Sequence, residues 1–104
     1  MYYDMTDVKK RYFPVKLKNG KKIDVNPPKL KVFRAITALT KTSDKYNNEE
    51  IDNLVKAISL ALSSNRQNYT VTTKQIEDWL DYDEIYDLLT KYFTWVQGTI
   101  SQKN

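Results

Sequence analysis

Val15 and Leu17 alternate with Lys16 and Lys18, and beyond Asn19-Gly20 the residues Ile23 and Val25 alternate with Lys22 and Asp24. Period-two alternation gives each run one apolar and one polar face, the pattern of two half-buried strands. Asn-Gly between them predicts a β-hairpin closed by a two-residue type I′ turn, which needs positive φ at both central positions. Pro14 has no N–H to donate, so the first strand belongs at a sheet edge or begins after it. A hairpin with a single apolar face is marginal in water and must rest on other elements.

The period then becomes helical. Pro27-Pro28 ends the hairpin, and Pro28 suits the first turn of a helix reaching about residue 41. Leu30, Phe33, Ile36 and Leu39 are its apolar positions, with Val32 beside them. After a loop over residues 42–46, Asn47 and Glu50 have capping-box spacing and open a second helix. Its stripe, Ile51, Leu54, Val55, Ile58, Ala61 and Leu62, has the core-facing i, i+3, i+4, i+7 pattern. Ser63-Ser64-Asn65 ends it.

Thr72 with Gln75, and Asp81 with Glu84, repeat the capping-box spacing. The first pair opens a short helix with Ile76, Trp79 and Leu80 inward. The second opens a long helix whose apolar face is Ile85, Leu88, Leu89, Tyr92, Val96 and Ile100, with Trp95 on its shoulder. Gly98 marks a late C-cap or a fraying end. The expected architecture is α+β and mostly helical, an N-terminal β-hairpin followed by about four helices. Residues 1–11 read as a flexible arm, 12–100 as one domain and 101–104 as a frayed C-terminus.

Composition narrows the chemistry. The 104 residues contain no cysteine and no histidine, which removes disulfides, thiolate nucleophiles, imidazole bases and nearly all zinc or copper sites. The longest apolar runs, such as residues 58–62, fall far short of the ~20 residues of a membrane span. The start lacks the basic end and apolar stretch of a secretory signal. A soluble protein of a reducing cytoplasm is expected.

The acids are the only catalytic candidates: Glu49, Glu50, Glu77, Asp78, Asp81, Asp83, Glu84 and Asp87. Paired carboxylates can exchange protons or hold Mg²⁺ or Ca²⁺. These ones gather at helix starts, where caps and the helix dipole favour them. Residues 81–84 lack the glycine of a calcium loop, and two glycines in the whole chain, Gly20 and Gly98, leave no phosphate-cradling loop. No catalytic, cofactor or metal site is expected, and the chain does not read as an enzyme.

The net charge of +4 is unevenly spread. Residues 1–45 hold 12 Lys/Arg against 4 Asp/Glu, whereas residues 46–104 hold 5 against 9. Such a chain can pair with itself head to tail, bind a polyanion, or simply stay solvated. Fourteen lysines against three arginines supply point charges more than the planar forks of phosphate or base readout. With no helix-turn-helix, RRM or finger pattern, nucleic-acid binding is disfavoured. Eight tyrosines and two tryptophans are a heavy aromatic load for so small a chain, and most should serve the core. Trp79, Tyr82, Tyr86 and Trp95 are the candidate partner-facing aromatics, and Lys29, Lys31 and Arg34 the candidate basic contacts.

The last third also carries a resemblance. Tyr69-Thr70-Val71, then Gln75-Ile76-Glu77-Asp78-Trp79-Leu80 and Asp83-Glu84, lead into a closing helix that ends Trp95-Val96-Gln97-Gly98. This resembles the tail assembly chaperones of long-tailed phages and prophages of Gram-positive bacteria, and the order of elements is similar over about residues 12–100. The resemblance implies a protein of the bacterial cytoplasm that coats the tape measure protein, keeps it soluble, helps recruit the major tail protein, and is absent from the mature virion. The split charge would allow open head-to-tail self-association around that client, with exposed apolar edges holding its helical stripe. Family members often exist also as a longer frameshifted form, and Gln102-Lys103-Asn104 is encodable by a slippery CAA-AAA-AAC. Two other readings stay open: a small basic nucleic-acid-binding or regulatory phage protein, and a structural head–tail component.

Overall fold

The computed structural model describes residues 11–41 and 48–101. The N-terminal arm up to residue 10, the loop over 42–46, Asn47 of the expected capping box and residues 102–104 lie outside the described residues. The order of elements is β1 (Phe13–Lys16), β2 (Lys22–Val25), α1 (Leu30–Thr40), α2 (Asn48–Ser63), α3 (Thr73–Trp79) and α4 (Tyr82–Ser101). An N-terminal antiparallel hairpin followed by helices is the α+β, mostly helical architecture that the periodicity predicts.

In the hairpin Val15 stands opposite Ile23 and Phe13 opposite Val25. Leu17, Ile23 and Val25 are buried, so the alternation aims its apolar face as expected. The turn is different. Leu17 N–H donates to the Lys21 carbonyl at 2.8 Å, and Gly20 N–H donates back to the Leu17 carbonyl at 2.9 Å. The loop is therefore Lys18, Asn19 and Gly20, of which Gly20 alone has positive φ, at 90°. A type I turn followed by a glycine bulge replaces the two-residue type I′ turn. Asn19 is recruited elsewhere: its Oδ1 accepts from Lys21 N–H at 3.0 Å and its Nδ2 donates to the Tyr69 hydroxyl at 3.1 Å.

Because Leu17 N–H points at β2, strand alternation sends the N–H of Lys16, and the missing one of Pro14, away from it. Pro14 thus sits on an outer edge, where the loss of a donor costs no ladder bond. The far edge of β2 is covered. Asn26 N–H donates to the Ser64 carbonyl at 2.8 Å, Arg66 N–H to the Asp24 carbonyl at 3.0 Å, and Val25 bridges Asn65.

Asn65 organises that cover. It is buried, its Nδ2 donates to the Leu62 and Tyr69 carbonyls at 2.7 Å each, and its Oδ1 accepts from Tyr69 N–H at 2.9 Å. Ser63 Oγ accepts from Val71 N–H at 2.9 Å, and the Ser59 hydroxyl donates to the Val71 carbonyl at 2.7 Å. The Tyr-Thr-Val entry to α3 is therefore strapped along the end of α2 by its polar side chains.

Helix α1 starts later than Pro28 suggests. Lys29 is the N-cap, without a side-chain cap hydrogen bond, and Pro28 precedes it. Ile36 is buried, with Val32, Phe33 and Leu39 packed beside it, whereas Leu30 is 65% exposed. At about 100° per residue, a three-residue spacing slips by about 60° per step, so Leu30 lies about 120° from Ile36 around the helix. A strict three-residue row cannot all face one core.

Helix α2 is the central element, packing against α1, α3, α4 and β2. Leu54, Val55, Ala57, Ile58, Ala61 and Leu62 are buried, adding Ala57 to the expected stripe and leaving Ile51 at its margin. Both later capping boxes form. Thr72 and Gln75 exchange hydrogen bonds at the start of α3. Asp81 N–H donates to Glu84 Oε1 at 2.9 Å, and Glu84 N–H to Asp81 Oδ1 at 2.8 Å. Ile76, Ile85, Leu89, Tyr92 and Val96 complete the core, with Trp79, Leu80, Leu88 and Trp95 partly buried against it. Gly98 neither caps nor frays α4, which runs on to Ser101, and the Ile100 side chain lies outside the described residues.

Candidate functional site

Between β1 and the α3–α4 corner runs an open groove of about 520 Å³. Its floor is apolar: Val15 and Leu17 from the hairpin, Leu62 from α2, Ile76, Trp79 and Leu80 from α3 and its C-cap, and Leu88 from α4. The acidic wall is Asp83, Glu84 and Asp87 on α4, and the basic wall is Lys16 and Lys18 at the hairpin. A concave apolar surface with a few charged groups on its rim is the usual form of a recognition site.

The walls are braced by the capping chemistry of α4. Lys18 Nζ reaches Glu84 Oε2 at 2.9 Å across one end of the groove. The Asp81 N–H, and after it Lys18, hold the Glu84 carboxyl below its ordinary range. Asp87 pairs with Lys91 one turn along α4, at 3.0 Å. Asp81, Glu84 and Asp87 are thus accounted for as cap and ion-pair groups. Among the described residues no group of three or more His, Cys, Asp or Glu side chains is placed to hold a metal ion.

The residues singled out from sequence are spread over several places. Trp79 is half-buried in the groove floor. Tyr82 and Tyr86 stack edge to face at 4.9 Å on the first turns of α4, with Tyr86 39% exposed. Tyr86 also borders a smaller hollow with Thr40, Leu54, Leu89, Thr90 and Phe93. Trp95 lies against Phe13 at 5.3 Å and Tyr92 at 5.9 Å, in an aromatic cluster that fixes the start of β1 on α4. Lys29, Lys31 and Arg34 are all exposed at the start of α1 around the exposed Leu30. The fold therefore brings Tyr82 and Tyr86 together and leaves Trp79 as the one candidate in the groove.

No protein-family model, characterised protein or solved structure matches the chain.

What sequence reading missed there is that Leu80 and Leu88 line one groove with Trp79, and the wall that β1 supplies. Leu88 reads as core from its helical position, and Val15 to Lys18 read as a strand on that core. Their meeting depends on how the hairpin turn lies over α4, a tertiary fact without a local sequence signal.

Among the described residues no helix is long and apolar enough to cross a membrane.

Proposed function

We propose that this protein is a tail assembly chaperone of a long-tailed phage or prophage, working in the host cytoplasm by binding and not by catalysis. Its client is the tape measure protein, whose apolar side chains it keeps out of water until the major tail protein is recruited. It is absent from the finished virion.

The observation that carries this reading is where the resembling residues fall. Gln75 to Leu80 and Asp83-Glu84, the stretch similar to that family, form the capped α3–α4 corner whose inner side is the groove floor and acidic wall. A site of apolar floor and charged rim suits a protein partner. The split charge supports self-association as well. Lys29, Lys31 and Arg34 are exposed at the start of α1, and Glu77 and Asp78 are exposed on α3, so one copy can offer its basic side to the acidic side of the next.

Co-expression with a tape measure protein fragment tests the reading. The client should move from the insoluble to the soluble fraction only when this chain is present, and purified particles should lack it. Client insolubility in both cases, or the chain's presence in virions, would count against it.

A further inference from the structure

Among the described residues the sheet is closed on one side and open on the other. Residues 64–66 cover the outer edge of β2, while among the described residues nothing pairs with the outer edge of β1. That open edge is one wall of the groove, since Val15, Lys16, Leu17 and Lys18 line it consecutively. Its outward backbone groups are the Lys16 N–H and carbonyl and the Pro14 carbonyl, by the alternation that Leu17 N–H sets.

We propose that the groove receives an extended segment of a partner protein, added as a third strand along β1, with apolar and acidic residues in alternation. Three observations fix that chemistry. First, an unpaired strand edge offers main-chain hydrogen bonds that an extended backbone can take and a helix cannot. Second, side chains on the added strand alternate between the two faces. Those beside Val15 and Leu17 enter a floor of Trp79, Leu80 and Leu88, where Asp83 and Asp87 disfavour an acid. Those beside Lys16 lie on the outer face, where Lys22 stands directly across from Lys16 and a carboxylate gains two cationic neighbours. Third, a lysine on an edge strand is a guard against pairing with a second copy, which narrows the occupant to a partner of opposite charge. Pro14 offers an acceptor without a donor, which limits the registers an incoming strand can use.

The inference rests on the groove as the protein-binding site and adds the form in which a partner enters it. Its probe is a synthetic peptide of about eight residues alternating valine and glutamate, long enough for an ordinary strand. The controls are the same peptide with lysine for glutamate, one with backbone N-methylation on the pairing side, and an amphipathic helix-forming peptide. Amide hydrogen exchange on the full chain is the readout. The Val/Glu peptide should slow exchange at the Lys16 N–H by about ten-fold or more, and Lys16→Glu should weaken its binding about five- to ten-fold. Lys16→Glu places opposite charges across from each other in the hairpin, so the variant should remain folded. The methylated and lysine peptides should leave the Lys16 amide unprotected. If the helical peptide binds the groove and the extended one does not, the proposal is overturned while a protein-binding groove stands. Binding by neither peptide also overturns it, and client co-expression then judges the chaperone reading by itself.

Discussion

Lys18 Nζ stands 2.9 Å from Glu84 Oε2, an ion pair that ties the hairpin turn to the first turn of α4. Glu84 also caps that helix by accepting from Asp81 N–H, and the two contacts together lower its carboxyl from the ordinary 4.5. The unfolded chain therefore takes up the proton more readily than the folded one. The stabilisation is complete above that ordinary value and is lost as pH falls through the depressed folded one. Glu84→Gln should flatten the acid limb of the stability profile, as measured by urea midpoints between about pH 6 and about pH 3. An unchanged acid limb would show that Glu84 titrates alike in both states.

Tyr92 should govern the opposite limb. Burial alone pushes its hydroxyl up to about 12 from the ordinary 10.0. The raised folded value means that its contribution is complete below pH 10 and is lost as pH rises toward 12. The loss is on the order of 2 kcal/mol. Tyr92→Phe should remove that part of the alkaline decline, seen by thermal unfolding across the same range.

Asn65 should be the costliest polar side chain to remove. Asn65→Ala leaves the Leu62 and Tyr69 carbonyls and the Tyr69 N–H without the partners they have now. A loss of about 2–3 kcal/mol is expected in denaturant unfolding. Asn65→Asp keeps the acceptor but turns a carboxylate toward two carbonyls, so it should not rescue the loss.

Gly98 offers the reverse effect. It lies inside α4 without positive φ, and an added Cβ would meet nothing within 4 Å. Gly98→Ala should stabilise the chain by about 0.5–1 kcal/mol, read as a higher unfolding midpoint.

These positions show how far the fold can be read from the sequence. Thr72 with Gln75 and Asp81 with Glu84 are local devices, completed within four residues, and both form as their spacing predicts. The stripe of α2 is equally local, because helical geometry alone puts Leu54, Val55, Ile58, Ala61 and Leu62 on one side. Where a residue answers to a distant partner, local rules fail. Asn19 is drawn to Tyr69, fifty positions on, and the hairpin loop takes three residues in place of two. Leu30 stays outside because the position of the core, and not the row of apolar residues, decides which side of α1 is covered. Asn65 reads as a helix stop, yet its burial depends on β2 and Tyr69 both arriving there. Of the groove, the sequence revealed Trp79 and the acids. The facing edge of β1 follows from the packing of the hairpin on α4.

The groove is the centre of the functional account, and Trp79 is its largest floor residue. The most direct measurement is the soluble fraction of the proposed client, a tape measure protein, co-expressed with the wild-type chain or with Trp79→Ala. Far-ultraviolet circular dichroism and an unfolding midpoint verify that the variant is folded. Client held in solution by the wild type and lost to the pellet with folded Trp79→Ala is the predicted result. Equal solubilisation by the wild type and the folded variant would contradict it.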